Sequence, residues 1–485
     1  MSNAISGLKP ELVWKYFAEI SQIPRCSKHE KRISQYVMDK AKELGLTAKQ
    51  DRHLNVVVKK PASSGREKTP SVCLQGHLDM VCEKNKNVQH DFATDPIELV
   101  RKGNVLMANG TTLGADNGIA VATNLAIMED GSLEHGPLEF LFTVDEETGL
   151  TGAGNLKSGF LASKILMNLD SEEEGALYVG CAGGRDTKGT WRVNFTRSPS
   201  GSRPMQLQVR GLVGGHSGLE IHQGRGNAIK TLARVLAALQ EVGVRLGAVE
   251  GGNKRNAIPR ETEALVFVPK DKLRKAKAIV KEFDATVKAE LASVDPDVAI
   301  VLEDVTGDVE RRVVAKKEQE LIVRSLLALP HGVTKMSADI PGLVETSTNV
   351  AVIGTEKASI AVETSQRSSV ASEIEEIVQT VSAIFELGGA KVTQDSGYPG
   401  WKPDMDSPIL KVAKSTYKRL YGKEPEVKAV HAGLECGIIG EKYPGMDMIS
   451  FGPTLEGVHS PDEKIYIESV EKYWKFLLAI LKNVQ

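Results

Sequence analysis

A chain of 485 residues and 52.5 kDa exceeds what one hydrophobic core organises, so two or three domains are expected. Hydrophobic residues at 41% and charged residues at 26% are the balance of a globular protein and exclude disorder as the main state. Sixty-one Lys+Arg against 63 Asp+Glu leave a net charge of -2, so there is no basic field to hold phosphate backbones or anionic lipid, and neither nucleic acid nor membrane is an expected partner.

No run approaches the roughly 18 uninterrupted apolar residues of a membrane span. The start, MSNAISGLKPELVWKYF, lacks a basic region followed by an apolar signal core, so a cytoplasmic location is expected. Cys26, Cys73, Cys82, Cys181 and Cys436 are odd in number, scattered and free of CxxC, which predicts five reduced packing thiols. With 10 histidines in the chain, a metal site would be built mainly from His, Asp and Glu.

Ser27 to Glu30 has the form of a capping box, and Ile33, Val37, Ala41 and Leu44 recur at helical spacing until Gly45. Short apolar runs follow at Leu54–Val58, Val72–Leu74, Leu138–Val144 and Ile165–Leu169, with a helical stretch over Gly118–Met128. Strands alternating with helices predict an α/β sheet. Near Thr187 the texture turns to alternating strands and stays so until SGYPGWKPDMDSP, which marks an insertion over 187–399 in a domain built from 1–186 and 400–485. Inside it, Met205–Val209, Asn227–Gln240, Val244–Val249, Glu263–Val268, Lys272–Ala292 and Val298–Leu302 follow the order βαββαβ. The order repeats from Val298 to Val392, with helices over Lys317–Leu327 and Ser372–Glu386, as a duplication sharing a strand at its middle. The last segment returns to α/β texture: helix Pro408–Leu420, strands Val427–Val430 and Met448–Phe451, and helix Ile467–Lys482.

Chemistry-bearing residues gather after the apolar runs. In QGHLD, His77 and Asp79 are two apart on extended backbone and share a side, so one can hold a metal while the other orients it. TTLGADNG places Asp116 where a helix starts, and VDEETG places Glu146 and Glu147 on diverging directions after a strand. NLD ends a run with Asp170, and the Glu172, Glu173 and Glu174 behind it read as solvent-facing. His459 in GVHSPDE offers a second imidazole. Each alone has an ordinary reading: a polar turn, an N-cap, an acidic turn, a surface histidine. Together, His77, Glu146, Glu147, Asp170 and His459 all fall at or just beyond carboxyl ends of expected strands, where open α/β sheets place their sites. Two His, a bridging Asp and two further carboxylates give each of two zinc-like ions three protein ligands and an open position.

The segments QGHLDMV, GTTLGADNGI, EETG, NLDSEEEG, GCAGG, GLVGGHSG, NAIPRE, HAGLECG and GPTLEGVHSPDE resemble, essentially end to end, the di-zinc peptidase family that includes aminoacylase, carnosinase and glutamate-releasing carboxypeptidase, and within it the dipeptidases that accept aminoacyl-histidine. The resemblance implies a zinc-peptidase-like α/β domain, a central mixed sheet flanked by helices, interrupted by an α+β lid with a duplicated βαββαβ. It implies two zinc ions per chain, with cobalt or manganese as substitutes. One ion would be held by His77 and Asp170, the other by Glu147 and His459, with Asp116 bridging; Glu146 would be the general base, Asp79 the partner of His77, and the Asp116–Asn117 peptide cis. His216 in GGHSG would polarise the scissile carbonyl, although its position also suits a turn histidine. Asn256, Arg367 and Gly433 would hold the substrate carboxylate, Arg367 from a less familiar local sequence.

The expected activity is hydrolysis of unblocked L-dipeptides, Xaa-His among them, by a zinc-bridging water that Glu146 activates. A homodimer through the lid is also implied. An aminoacylase acting on N-acyl amino acids, and a non-catalytic zinc or peptide binder, are the rival readings.

Overall fold

The computed structural model describes residues 3–485. The chain folds into two compact units: one runs to Gly180 and takes in Trp401–Ala429 and Leu434–Gln485, and the other comprises Cys181–Gly400 and Val430–Gly433.

The first unit is built on a mixed sheet in the order Thr47–Gln50, Val56–Lys60, Leu138–Thr143, Val72–His77, Ile165–Asn168, Asp447–Ser450, Ala176–Cys181, Glu426–Val430. Val72–His77 runs parallel to both Leu138–Thr143 and Ile165–Asn168, and Asp447–Ser450 is parallel to the last of these. Strands covered on both faces carry continuous rather than alternating apolar sequence, and VCLQGH and LEFLFT are buried at every position. Polar residues inside them find partners: Glu139 accepts from the Ala162 and Ser163 amides at 2.8 and 2.7 Å and pairs with Lys59. Helix Ala115–Glu129, buried over nearly its whole length, lies against Val72–His77 and against helix Glu11–Ile20, an element that the sequence spacing does not announce. Gly76 permits that approach, because a Cβ there would stand 2.5 Å from Asn117 Oδ1 and 2.7 Å from the Ala120 Cβ. A four-stranded sheet, Leu455–Glu456, Lys464–Tyr466, Val105–Ala108 and Leu99–Lys102, carries the C-terminal loop with His459 at a hairpin tip.

The second unit has a sheet in the order Ala299–Asp304, Ser202–Arg210, Thr262–Pro269, Arg245–Gly251, Val344–Thr355, Ser359–Ser368, Gly183–Arg192, Lys391–Gln394, with Gly332–Met336 joined to Val344–Thr355. Two βαββαβ halves meet edge to edge where Arg245–Gly251 pairs with Val344–Thr355. No strand is shared: Ala299–Asp304 is the outer strand of one half, paired with Ser202–Arg210, and the other half starts at Gly183–Arg192. The first half is therefore inserted after the opening strand of the second, which local periodicity cannot reveal because it reports elements and not their partners. One core runs through both halves, from Leu207, Leu232 and Val266 to Val350, Val362 and Phe385, with Trp191 edge-on to Phe385 at 5.6 Å.

Two further expectations are corrected. The capping box does not form: helix Lys31–Glu43 begins after Glu30, and the Ser27 hydroxyl, instead of accepting a helix N–H, donates to the buried Asp79 Oδ2 at 2.8 Å. The cysteines are not five equivalent thiols, because Cys26 and Cys82 form a disulfide across a Cα separation of 5.7 Å, while Cys73, Cys181 and Cys436 are buried. Pairing between residues 56 apart depends on the bridge that aligns Cys26 with Met80, which spacing does not encode. No helix among the described residues is long and apolar enough to cross a membrane.

His431 is buried in the second unit with Nε2 2.7 Å from Ser347 Oγ, and burial, helped by the Arg367 charge, holds its pKa down to about 3 from 6.5. Burial likewise holds His216 and His331 at about 4. A depressed folded-state pKa contributes stability above the unfolded value that is lost as pH falls through the folded one. The melting temperature is therefore expected to drop between pH 6.5 and about 3, with a shallower slope in His431→Gln. Calorimetric scans at stepped pH check this, and equal slopes would reject it.

Candidate metal centre

His77 closes its strand, and two neighbouring strands lead on from the same sheet edge while a helix enters beside them. After Leu138–Thr143, Asp145 adopts a left-handed conformation (φ 50°) and accepts from Thr151 Oγ1 at 2.5 Å and from Thr148 Oγ1, winding Glu146–Gly149 into a single turn. After Ile165–Asn168 the chain reaches Asp170, and Asp116 enters with helix Ala115–Glu129, across an Asp116–Asn117 peptide that is cis. Asn117 fastens the arrangement by accepting from the His77 amide at 3.2 Å and donating to the Leu169 carbonyl at 2.9 Å.

The two carboxylate oxygens of Asp116 face different imidazoles. Oδ1 is 3.2 Å from His77 Nε2, and Oδ2 is 3.1 Å from His459 Nε2. Asp170 Oδ1 joins the first side at 3.4 Å from His77 Nε2, and Glu147 Oε2 joins the second at 3.0 Å from His459 Nε2. Two sets of converging donors result, His77 with Asp116 and Asp170, and Asp116 with Glu147 and His459, each set lying within 4.8 Å. Asp79 stands behind: Oδ1 is 3.3 Å from His77 Nδ1 and accepts from the Glu146 amide at 3.1 Å, while Oδ2 accepts from the Glu147 amide at 3.3 Å. The sequence motifs single out every one of these residues, and the structure brings all seven together.

Electrostatics explain what such a cluster requires. Burial pushes Asp170 up to about 6, with Asp116 and Glu147 adding to the rise against His77, and burial lifts Glu146 well above the carboxylate range, reinforced by Asp170, Glu435 and Glu147. Burial opposes ionisation of Asp79 too, but His77, the Glu146 amide and Ser27 hold it down at about 2. His459 is drawn up to about 11 by Asp116 and Glu147. Asp170 Oδ1 and Glu147 Oε1 are buried without a hydrogen-bond partner among the described residues. Crowded anionic oxygens with unspent lone pairs, flanked by two imidazole nitrogens, fit a pair of divalent cations.

Several residues of the site are not legible in the sequence. Arg25 is buried and donates to the carbonyls of Leu78 and Asp79 at 3.0 and 2.9 Å and to that of Gly114. Glu435, from HAGLECG, is fully buried beneath the sheet edge, accepts from Gln75 Nε2 at 2.5 Å and Thr143 Oγ1 at 2.6 Å, and is raised by burial to about 7. Glu463 accepts backbone N–H groups around Asp116. Glu172, Glu173 and Glu174 are all half-buried rather than solvent-facing; burial, then Asp116 and Asp170, push Glu172 up to about 8, whereas Glu173 and Glu174 pair with Lys428 and Lys472. All four departures are tertiary; Glu172, Glu435 and Glu463 lie inside quoted motifs, and Arg25 lies outside all of them.

Within the second unit, His216 Nδ1 accepts from the amides of Gly218 and Leu219 at 3.2 and 3.0 Å, leaving Nε2 as the proton-bearing nitrogen of a neutral ring. Burial and then the Arg367 charge keep it neutral. Arg367 is buried and donates to Tyr398 Oη at 2.9 Å, and the same ring packs over Gly433, where a Cβ would meet it at 2.8 Å. Asn256 is exposed and borders, with His216, an open groove of about 990 Å³.

Fold and donor set together describe a metal-dependent hydrolase of the peptidase class. The profile of peptidase family M20/M25/M40 matches residues 73–483, and the chain belongs to this family. It is 42% identical over 483 residues, 99% of each chain, to the cytosol non-specific dipeptidase of Escherichia coli. The crystal structure of aminoacylhistidine dipeptidase from Vibrio alginolyticus is similar at a TM-score of 0.92 and 43% identity, over 99% of this chain and 98% of that one. Aminopeptidase PepT from Bacillus cereus, at 17% identity and a TM-score of 0.57 over 98% and 99% of the two chains, shares the fold.

Proposed function

We propose that this chain is a cytosolic di-metal dipeptidase that hydrolyses unblocked L-dipeptides, Xaa-His among them. The observation that carries the reading is Asp116, whose two oxygens are divided between His77 and His459. His77 and Asp170 would hold one ion, Glu147 and His459 the other, and Asp116 both. Nitrogen and oxygen donors suit zinc and also manganese or cobalt. Such a pair, when bound, supplies Lewis acidity to the scissile carbonyl and acidifies water.

The remaining chemistry belongs to the protein. Glu146, whose pKa burial raises, takes a proton from the attacking water and returns it to the departing amine, the task of a positioned carboxylate base. Asp79 accepts from the His77 Nδ1 side, which would leave the Nε2 lone pair for the ion held with Asp116 and Asp170. His216 offers Nε2–H as a neutral donor to the developing oxyanion, and Arg367, Asn256 and the Gly433 backbone receive the substrate carboxylate. Recognition of both a free amine and a carboxylate measures substrate length. The same reading includes a homodimer formed through the inserted unit. The high similarity to a dipeptidase of E. coli and one of V. alginolyticus supports the dipeptidase reading.

A panel on one metal-analysed sample is expected to show Xaa-His and other dipeptides cleaved well, with tetrapeptides and N-acetyl amino acids poor. Tetrapeptide turnover equal to that of dipeptides would reject the length measure, and preferential cleavage of N-acetyl amino acids would indicate an aminoacylase. Glu146→Gln is expected to keep its metal while kcat falls by at least about 10²-fold. Loss of ions in that variant would make Glu146 a ligand instead.

A further inference from the structure

Glu463 stands outside the donor set, yet its carboxylate makes more backbone contacts than any ligand. It is buried, 2% exposed, and accepts four consecutive amides: Oε2 those of Leu113 and Gly114 at 2.7 and 2.9 Å, Oε1 those of Ala115 and Asp116 at 2.7 and 3.2 Å. These N–H groups lie on the segment that leads into helix Ala115–Glu129, where Asp116 and Asn117 are not yet helical, so one carboxylate satisfies four amides that no helical hydrogen bond can serve. From the other side, Arg25 grips the Gly114 carbonyl together with those of Leu78 and Asp79.

Glu463 also belongs to the loop that presents His459. That loop is folded back on itself: Ser460 Oγ donates to the Gly457 carbonyl at 2.7 Å, the Glu463 amide donates to the Ser460 carbonyl at 3.0 Å, and the strands on either side pair as a hairpin. His459 itself takes a left-handed conformation (φ 62°), which a non-glycine residue holds only when its surroundings impose it. The side chain is half exposed, so packing alone does little to aim the imidazole.

We propose that Glu463 is the positioning residue of the His459, Glu147 and Asp116 half of the centre: by binding the Leu113–Asp116 backbone from the loop of His459, it sets the register in which Asp116 and His459 meet. The inference rests on the ligand set proposed above. Removing it should leave Asp116 and His459 chemically intact but mutually misplaced, and groups behind metal ligands typically change metal affinity by about 10–100-fold. The ion held by His77 and Asp170, which keeps two of its three donors on other segments, should lose less.

The test is titration of metal-stripped protein with Zn²⁺ against a competing chelator, comparing the parent, Glu463→Gln, Glu463→Asp and His459→Ala. Glu463→Gln turns one acceptor oxygen into a donor facing donors, and Glu463→Asp keeps the charge but shortens the reach. The expected result is that one of two ions binds Glu463→Gln about 10-fold or more weakly, that it is the ion lost in His459→Ala, and that Glu463→Asp is intermediate. Both ions bound as in the parent, or both weakened equally, would overturn the inference. If circular dichroism shows Glu463→Gln unfolded, Glu463→Asp decides by the same criteria. A parent that binds fewer than two ions would overturn the ligand set, a failure distinct from a parent that binds two and variants that match it.

Discussion

The constraint on which this molecule turns is the packing of carboxylates beyond what nearby positive charge can neutralise. Asp79, Asp116, Glu146, Glu147 and Asp170 share one sheet edge with two imidazoles, and Arg25 is the buried guanidinium nearby. Removing charge from water is expensive unless it is paired, so a protein that ionised this cluster unaided would strain its own fold. The carboxyls respond in opposite directions, Asp79 held at about 2 against burial by its hydrogen-bond donors and the His77 charge, and Asp170 raised to about 6 by burial and then by Asp116 and Glu147.

The sheet explains how so much charge can be held in place. Parallel strands direct their carboxyl ends to one edge, and strands buried on both faces cannot shift without exposing apolar surface. Beneath the edge, Glu435, Gln75, Thr143, Asn168 and Ser450 join neighbouring strands through side-chain hydrogen bonds of 2.5–2.6 Å. The clustered donors thus stand on a polar floor fixed by an apolar sheet, and the Glu463 carboxylate on the hairpin carrying His459 accepts the amides that lead into Asp116.

The second unit shows the same economy with different chemistry. Arg367 depresses the pKa of both His216 and His431, and its guanidinium is aimed by Tyr398, whose ring packs on Gly433. Residues separated by more than 200 positions are thereby brought into one electrostatic neighbourhood. His216 is kept neutral by the presence of Arg367 as well as by burial, so its value as a hydrogen-bond donor does not depend on its own titration near neutral pH.

Sequence alone determined most of the elements and singled out the clustered side chains, since apolar runs report burial and chemistry-bearing residues stand where those runs end. His77, Glu146, Glu147 and Asp170 were legible for that reason, Asp116 at a helix start and His459 in a loop motif, as were the α/β class and the βαββαβ order. Only the tertiary structure decided that the opening strand of the second half is Gly183–Arg192, that Cys26 meets Cys82, that Ser27 serves Asp79, and that Glu463, Arg25, Glu172 and Glu435 belong to the centre. These are pairings between distant segments, and their energy comes from which groups the fold leaves buried opposite one another, a quantity that no local pattern of residues contains.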